Sequence, residues 1–271
     1  MPNATKHTPT IWRAVVHLLG VTANPNGLWV AQVARNFAAE GGGDRGGEGV
    51  FSDRHPSRCN SGDVRTIRPA AEDEMVATFL QAEIDSSRWG GAVRQALTKF
   101  QLTEATIKHP DLSDPAQNFR RSAILGEYRG WRHEKWLFVK WPDGIEWWLV
   151  ALDKTDLANV RYMNHRDWLT FSGNTLRPTV AADRVKRGDE AEFKDMPLDA
   201  IKAIATAMSN GVSFPPVIAL GTRESSMIVM VEGQTRITAY ALVGGEGEVS
   251  ALLGIVPVDG LRTWEWCPPE E

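Results

Sequence analysis

An apolar run from Met227 to Val231 ends abruptly at Glu232-Gly233-Gln234, and apolar side chains then return at helical spacing as Ile237, Tyr240 and Ala241. This change of period restricts the fold more than any other stretch. The run suits a buried strand, and the later spacing suits a helix. Glu232-Gly233-Gln234 is too polar and flexible to extend the strand. The peptide therefore predicts strand, tight turn and helix, with Thr235 and Arg236 in the first helical turn. A helix N-terminus presents unpaired N–H groups and about half a positive charge, which suits an anion. Gly233 lets backbone approach a phosphate closely, and Arg236 adds a forked cationic donor. The same residues also fit an ordinary strand–glycine–helix junction with a solvated arginine, and the motif alone does not choose between them.

Further elements flank this turn. Pro197 to Asn210 predicts a helix with Leu198, Ile201, Ile204, Ala205 and Met208 on one face, stopped by Gly211. Pro215-Pro216-Val217-Ile218-Ala219-Leu220 predicts a strand, and Leu252 to Val258 a last one. This order resembles the ParB/sulfiredoxin superfamily: helix, Gly, Pro-led strand, hairpin, second strand, Gly-x-x-Arg, helix, last strand. The resemblance covers about residues 158–260. It implies nucleotide-phosphate contacts at Gly233, Thr235 and Arg236, with Gln234 in the same turn. Sulfiredoxins carry Cys where Gln234 stands, so sulfur chemistry is excluded there. ParB partition proteins carry Gly-Glu-Arg-Arg, and Gln234 and Thr235 replace the middle pair.

A second polar loop, Ser172-Gly173-Asn174-Thr175-Leu176-Arg177, precedes a helix opened by Pro178 and closed by Gly188. In ParB-like folds this segment faces the Gly-x-x-Arg turn, which implies that Ser172, Asn174, Thr175 and Arg177 complete the site. The alternative is an ordinary loop with a capping Thr. Glu232 is the acid beside the turn. It suits a general base toward an acceptor hydroxyl, a partial ligand for a divalent ion, or simply a cap for nearby N–H groups. Asp167 and Asp183 are weaker acid candidates, placed only by the resemblance. The resemblance thus implies a nucleoside triphosphate or diphosphate with Mg, and a phosphoryl transferase or nucleotide hydrolase acting on an unspecified small-molecule or protein acceptor. The alternative is a ParB-like nucleotide-gated, DNA-associated module or a nuclease relative.

Charge weighs against the DNA alternative. The net charge is −4 and the isoelectric point about 5.9, without the basic field of a non-specific nucleic-acid binder. No clear helix-turn-helix follows the core. The His residues show no metal-ligand spacing, and no Walker A pattern or nucleophile elbow is present. Cys59 and Cys267 lie far apart in neither metal nor redox spacing, which predicts a cytoplasmic protein with two incidental thiols. The apolar stretch from Ile11 to Val21 is interrupted by Arg13 and His17 and is too short to span a bilayer.

The remaining chain predicts an α+β protein in three segments: 1–66, helices and a Gly-rich loop; 67–157, helices and a β-hairpin; and 158–271, the ParB/sulfiredoxin-like core. Helices are expected at 11–20, 28–39, 72–84, 89–100 and from Asp114 to Arg129. The Gly-x-Gly-x-x-Gly at Gly41, Gly43 and Gly46 follows a helix rather than a strand and is read as a surface loop. Asp114-Pro115-Ala116-Gln117 is a helix opening with N-cap Asp and N1 Pro, with Phe119, Leu125 and Tyr128 expected inward. Arg120, Arg121, Arg129 and Arg132 are read as a solvated helix face or an anion-binding surface. Lys135 to Trp141 and Glu146 to Leu152 predict a hairpin around Pro142-Asp143-Gly144, apolar on both faces. Its tryptophans are assigned to the core rather than to a base-stacking platform. The Trp264–Pro269 tail is read as a docking segment.

Overall fold

Six strands supply the framework of the computed structural model, which describes residues 64–189 and 196–269. In spatial order they are β1 (Arg65–Pro69), β2 (Glu146–Leu152), β6 (Val249–Ile255), β4 (Val217–Gly221), β5 (Ile228–Glu232) and β3 (Val160–Arg161). β4–β6 and β3–β5 are parallel, and the other pairs are antiparallel. Every residue of β4 is buried, as is all of β5 except Glu232. Strands covered on both faces read as continuous apolar runs, which is why Val217–Leu220 and Ile228–Val231 show no alternation.

The helices are α1 (Glu72–Glu83), α2 (Gly90–Lys99), α3 (Ala105–Lys108), α4 (Pro115–Arg129), α5 (Arg166–Phe171), α6 (Pro178–Arg187), α7 (Leu198–Ser209), α8 (Gln234–Leu242) and α9 (Val258–Thr263). The protein is thus of mixed α+β class. Expectations for residues 1–63, including the first two helices, the 41–63 loop and Cys59, lie outside the described residues. β1 and β2 share a sheet with the strands of 158–271, so the described residues form one unit across the expected boundary at 157/158.

Local signals explain several boundaries. The Asp114 side chain accepts hydrogen bonds from the backbone N–H of Ala116 and Gln117 at 2.9 and 3.2 Å, and Gly130 closes α4 in the left-handed conformation. Met75, Phe79 and Leu80 of α1 pack with Ile124 and Leu125 of α4 in the main core. Two expectations on α4 are corrected. Phe119 is 75% exposed rather than inward. Arg121 is buried rather than on a solvated face, because its guanidinium donates to the carbonyls of Thr106 (3.3 Å) and Asp111 (2.8 Å) and to the Asn118 side chain.

The predicted hairpin is also corrected. Both edges of β2 are occupied, one by β1 and the other by β6. Residues 136–138 form a 3-10 turn, and Trp136 and Lys140 have φ of 50° and 52°, which no strand accommodates. The segment builds an aromatic cluster instead. Trp131 and Trp141 each meet the Phe138 ring edge-on, at 4.7 and 5.0 Å, and Trp141 meets Trp264 at 5.3 Å. Trp147 is in the core as expected, whereas Trp136 is exposed. The Trp264 indole donates to the Leu137 carbonyl at 2.9 Å, which fastens the C-terminal tail to the cluster.

No helix among the described residues is long and apolar enough to cross a membrane. Because Trp264 is buried and hydrogen-bonded, Trp264→Ala should cost about 3–5 kcal/mol of stability, read as a lower midpoint in urea denaturation.

Candidate functional site

β5 passes into α8 through a single residue. Gly233 has φ +95° and forms the N-cap of α8, with no side chain capping the helix. A Cβ built there would lie 2.6 Å from Val217 Cγ1 and 2.9 Å from Val217 Cβ, so β4 leaves no room for a larger residue. Glu232 closes β5 rather than opening a loop, and Gln234 is already helical. Among the described residues, the backbone N–H groups of Gln234, Thr235 and Arg236 make no hydrogen bond. They are bare donors at the positive end of a nine-residue helix.

Arg236 is placed differently from the expectation. One terminal nitrogen, Nη2, pairs with the Glu232 carboxylate. The other, Nη1, donates to the carbonyls of Pro215 (2.5 Å) and Pro216 (3.1 Å). The Arg236 and Glu232 side chains are only 10% and 18% exposed. The guanidinium therefore ties α8 to the Pro-led entry of β4, and a carboxylate of the chain itself occupies its fork. The Gln234 side chain is turned inward and donates to the Val231 carbonyl at 3.2 Å. Thr235 is the half-buried residue of this first turn.

The 172–177 loop is held mainly by its own bonds. Ser172 is fully buried. Its hydroxyl bonds the Trp168 carbonyl and accepts from the Leu176 N–H, both at 2.8 Å. The Thr175 hydroxyl donates to the Ser172 carbonyl (2.8 Å) and accepts from the Arg177 N–H (3.2 Å); Arg177 itself is the N-cap of α6 and no side chain caps the helix, so the expected capping Thr is corrected to a turn residue. Asn174 is exposed with φ 66°. Among the described residues, no hydrogen bond joins Ser172, Asn174 or Thr175 to residues 232–236. The link to α8 is indirect: Tyr162 donates its N–H to the Leu176 carbonyl, and its hydroxyl meets Thr238 Oγ1 at 2.5 Å. Asp167 and Asp183 lie on the exposed faces of α5 and α6.

Sequence reasoning missed a group on the helical side. Glu83, the last residue of α1, is 4% exposed. Tyr128 donates to Glu83 Oε2 at 2.7 Å, and Arg129 Nη2 stands 3.4 Å from Glu83 Oε1. Arg129 is sandwiched near aromatic rings, 4.2 Å from the centroid of Trp89 and 5.5 Å from that of Phe79. Burial pushes the Glu83 carboxyl up to about 7; Arg129 and Tyr128 oppose this, and the nearby Glu232 carboxylate adds to it. Burial, reinforced by Glu83, raises the Tyr128 phenol well above its ordinary value. The signal was present in the spacing Met75, Phe79, Glu83, which places Glu83 on the buried stripe of α1.

Among the described residues, no group of three or more His, Cys, Asp or Glu side chains is placed to hold a metal ion. Comparison of the chain with protein-family models, curated proteins and solved structures finds no match.

Two outcomes are expected. Gly233→Ala should destabilise by about 2–3 kcal/mol through its positive φ and the clash with Val217, with partial recovery in Gly233→Ala/Val217→Ala, measured by thermal denaturation. Glu83 binds its proton more tightly folded than unfolded. Its contribution is therefore fully present below its ordinary range near 4.5 and lost as pH rises through about 7. Stability should fall across that window by an amount on the order of 3 kcal/mol, and Glu83→Gln should flatten the slope.

Proposed function

We propose that the chain binds the phosphate groups of a nucleotide at the turn that opens α8. One observation carries this reading: the backbone N–H groups of Gln234, Thr235 and Arg236 stand bare at the opening of α8, although the Arg236 guanidinium is already engaged by the chain's own Glu232 carboxylate and two proline carbonyls. Phosphate and carboxylate compete for the same donors. Binding is then an exchange, in which a phosphate oxygen takes the fork and Glu232 is released at the mouth of the site.

The resemblance to the ParB/sulfiredoxin superfamily supports a nucleoside diphosphate or triphosphate as the ligand. The order of elements from α7 through β4, β5 and α8 to β6 agrees with that pattern. The released Glu232 is suited to accept a proton from an acceptor hydroxyl. A magnesium ion would be held by phosphate oxygens and water, because no group of three or more His, Cys, Asp or Glu side chains among the described residues is placed to cage it. Bound there, magnesium would neutralise phosphate charge. Phosphoryl transfer or nucleotide hydrolysis is the reaction class we assign to this arrangement.

A thermal-shift series with ATP, ADP, CTP and GTP, each with and without magnesium, tests the reading. At least one should raise the melting temperature, with stabilisation reaching about 2.7 kcal/mol at a hundredfold excess over Kd. Arg236→Ala should abolish the shift. Glu232→Gln should enlarge it, because the internal competitor loses its charge, while any turnover is lost. A flat response to all four nucleotides would sink the proposal.

A further inference from the structure

We propose that the cavity between α2 and α4 is a separate ligand site, suited to a small zwitterion with an apolar body, such as a free amino acid with an aromatic or aliphatic side chain. The inference is independent of the phosphate-binding reading, because no residue of the cavity belongs to the α8 turn. The cavity measures about 550 Å³, within the range that small-molecule sites occupy. On α2, Ala92, Gln95, Ala96 and Lys99 recur at helical spacing and line one wall; Glu127 and Tyr128, from the last turn of α4, line the other. Alanine side chains at 92 and 96 leave room that larger residues would fill. Val93 and Leu97 of α2 share the main core with Ile124 and Leu125 of α4, which fixes the two walls relative to each other.

Tyr128 is anchored from behind. Its hydroxyl donates to the buried Glu83 at 2.7 Å, and the Trp89 ring lies 6.3 Å from its own. A ring held in place before a ligand arrives adds little ordering cost to binding. The charges of the lining then select the guest. Lys99 and Glu127 pair with each other at 2.7 Å, and both side chains are partly exposed. Their charges cancel. A guest with one charge would satisfy one member and strand the other. A zwitterion answers both, with its ammonium on Glu127 and its carboxylate on Lys99, so one ion pair is exchanged for two with no change in net charge. The apolar body then lies among Ala92, Ala96 and the Tyr128 ring, and the Gln95 amide offers both a donor and an acceptor to the polar end.

The test is an NMR titration of the full chain with L-phenylalanine and L-leucine, followed at the backbone amides. Phenylacetate and phenethylamine serve as probes that each lack one of the two charges. The amino acids should give saturable shifts centred on α2 and the last turn of α4, and both single-charge probes should bind about tenfold more weakly. Ala92→Phe places a ring in the cavity from a half-buried position and should abolish the shifts while the melting temperature holds. Lys99→Met and Glu127→Gln alter partly exposed side chains, and each should weaken phenylalanine about tenfold. A pair that merely ties two helices together would lower the melting temperature and leave the affinity unchanged, and that result overturns the inference. Equal affinity for the single-charge probes overturns it as well, as does unchanged binding by a folded Ala92→Phe or the lack of a saturable shift with either amino acid.

Discussion

The Arg236 guanidinium joins three parts of the chain that cannot otherwise satisfy one another. Glu232 ends a buried strand and brings a negative charge into a nearly dry place. Pro215 and Pro216 lack N–H groups and present carbonyls ahead of β4. Arg236 answers both, because a planar fork can hold a carboxylate on one side and carbonyls on the other. Removing either member of such a pair leaves an uncompensated charge, which typically costs about 3–5 kcal/mol. The close approach of Gly233 to Val217 completes the arrangement. β4, β5 and α8 are therefore locked at one corner, and the bare amides of the α8 first turn are held rigidly rather than on a mobile loop.

That corner holds an anion of the chain's own, the Glu232 carboxylate. The pairing keeps a nearly buried guanidinium neutralised by an acid four residues away. The second carboxylate, Glu83, lives under different rules. Burial dominates its chemistry.

The local events of the site were legible in the sequence, and its partners were not. The strand–Gly–helix transition at 228–242, the Asp114 cap and the glycine stops at Gly130, Gly188 and Gly211 all follow from rules acting over four or five residues. The 172–177 loop shows the boundary of that reach. Its hydroxyl residues announced a helix start, yet no side chain caps α6, Thr175 only closes the turn before it, and nothing local showed that Ser172 would be turned inward and consumed by Trp168 and Leu176. The Trp-rich segment failed for a related reason. Lys135–Trp141 has the composition of a strand, yet the partner it would need already pairs with β1 and β6.

By itself the sequence determined the mixed α+β class, the extents of the well-capped helices and the presence of a glycine turn leading into a helix with arginine in its first turn. These depend on side-chain period, proline and glycine, which act on nearby backbone. Only the tertiary structure decided that the Arg236 fork is filled by Glu232 and two proline carbonyls, that Val217 is what forbids a side chain at Gly233, and that Glu83 meets Tyr128 and Arg129 in the interior. Those facts depend on contacts between residues as distant in sequence as Glu83 and Tyr128, and such contacts arise only when separate elements pack.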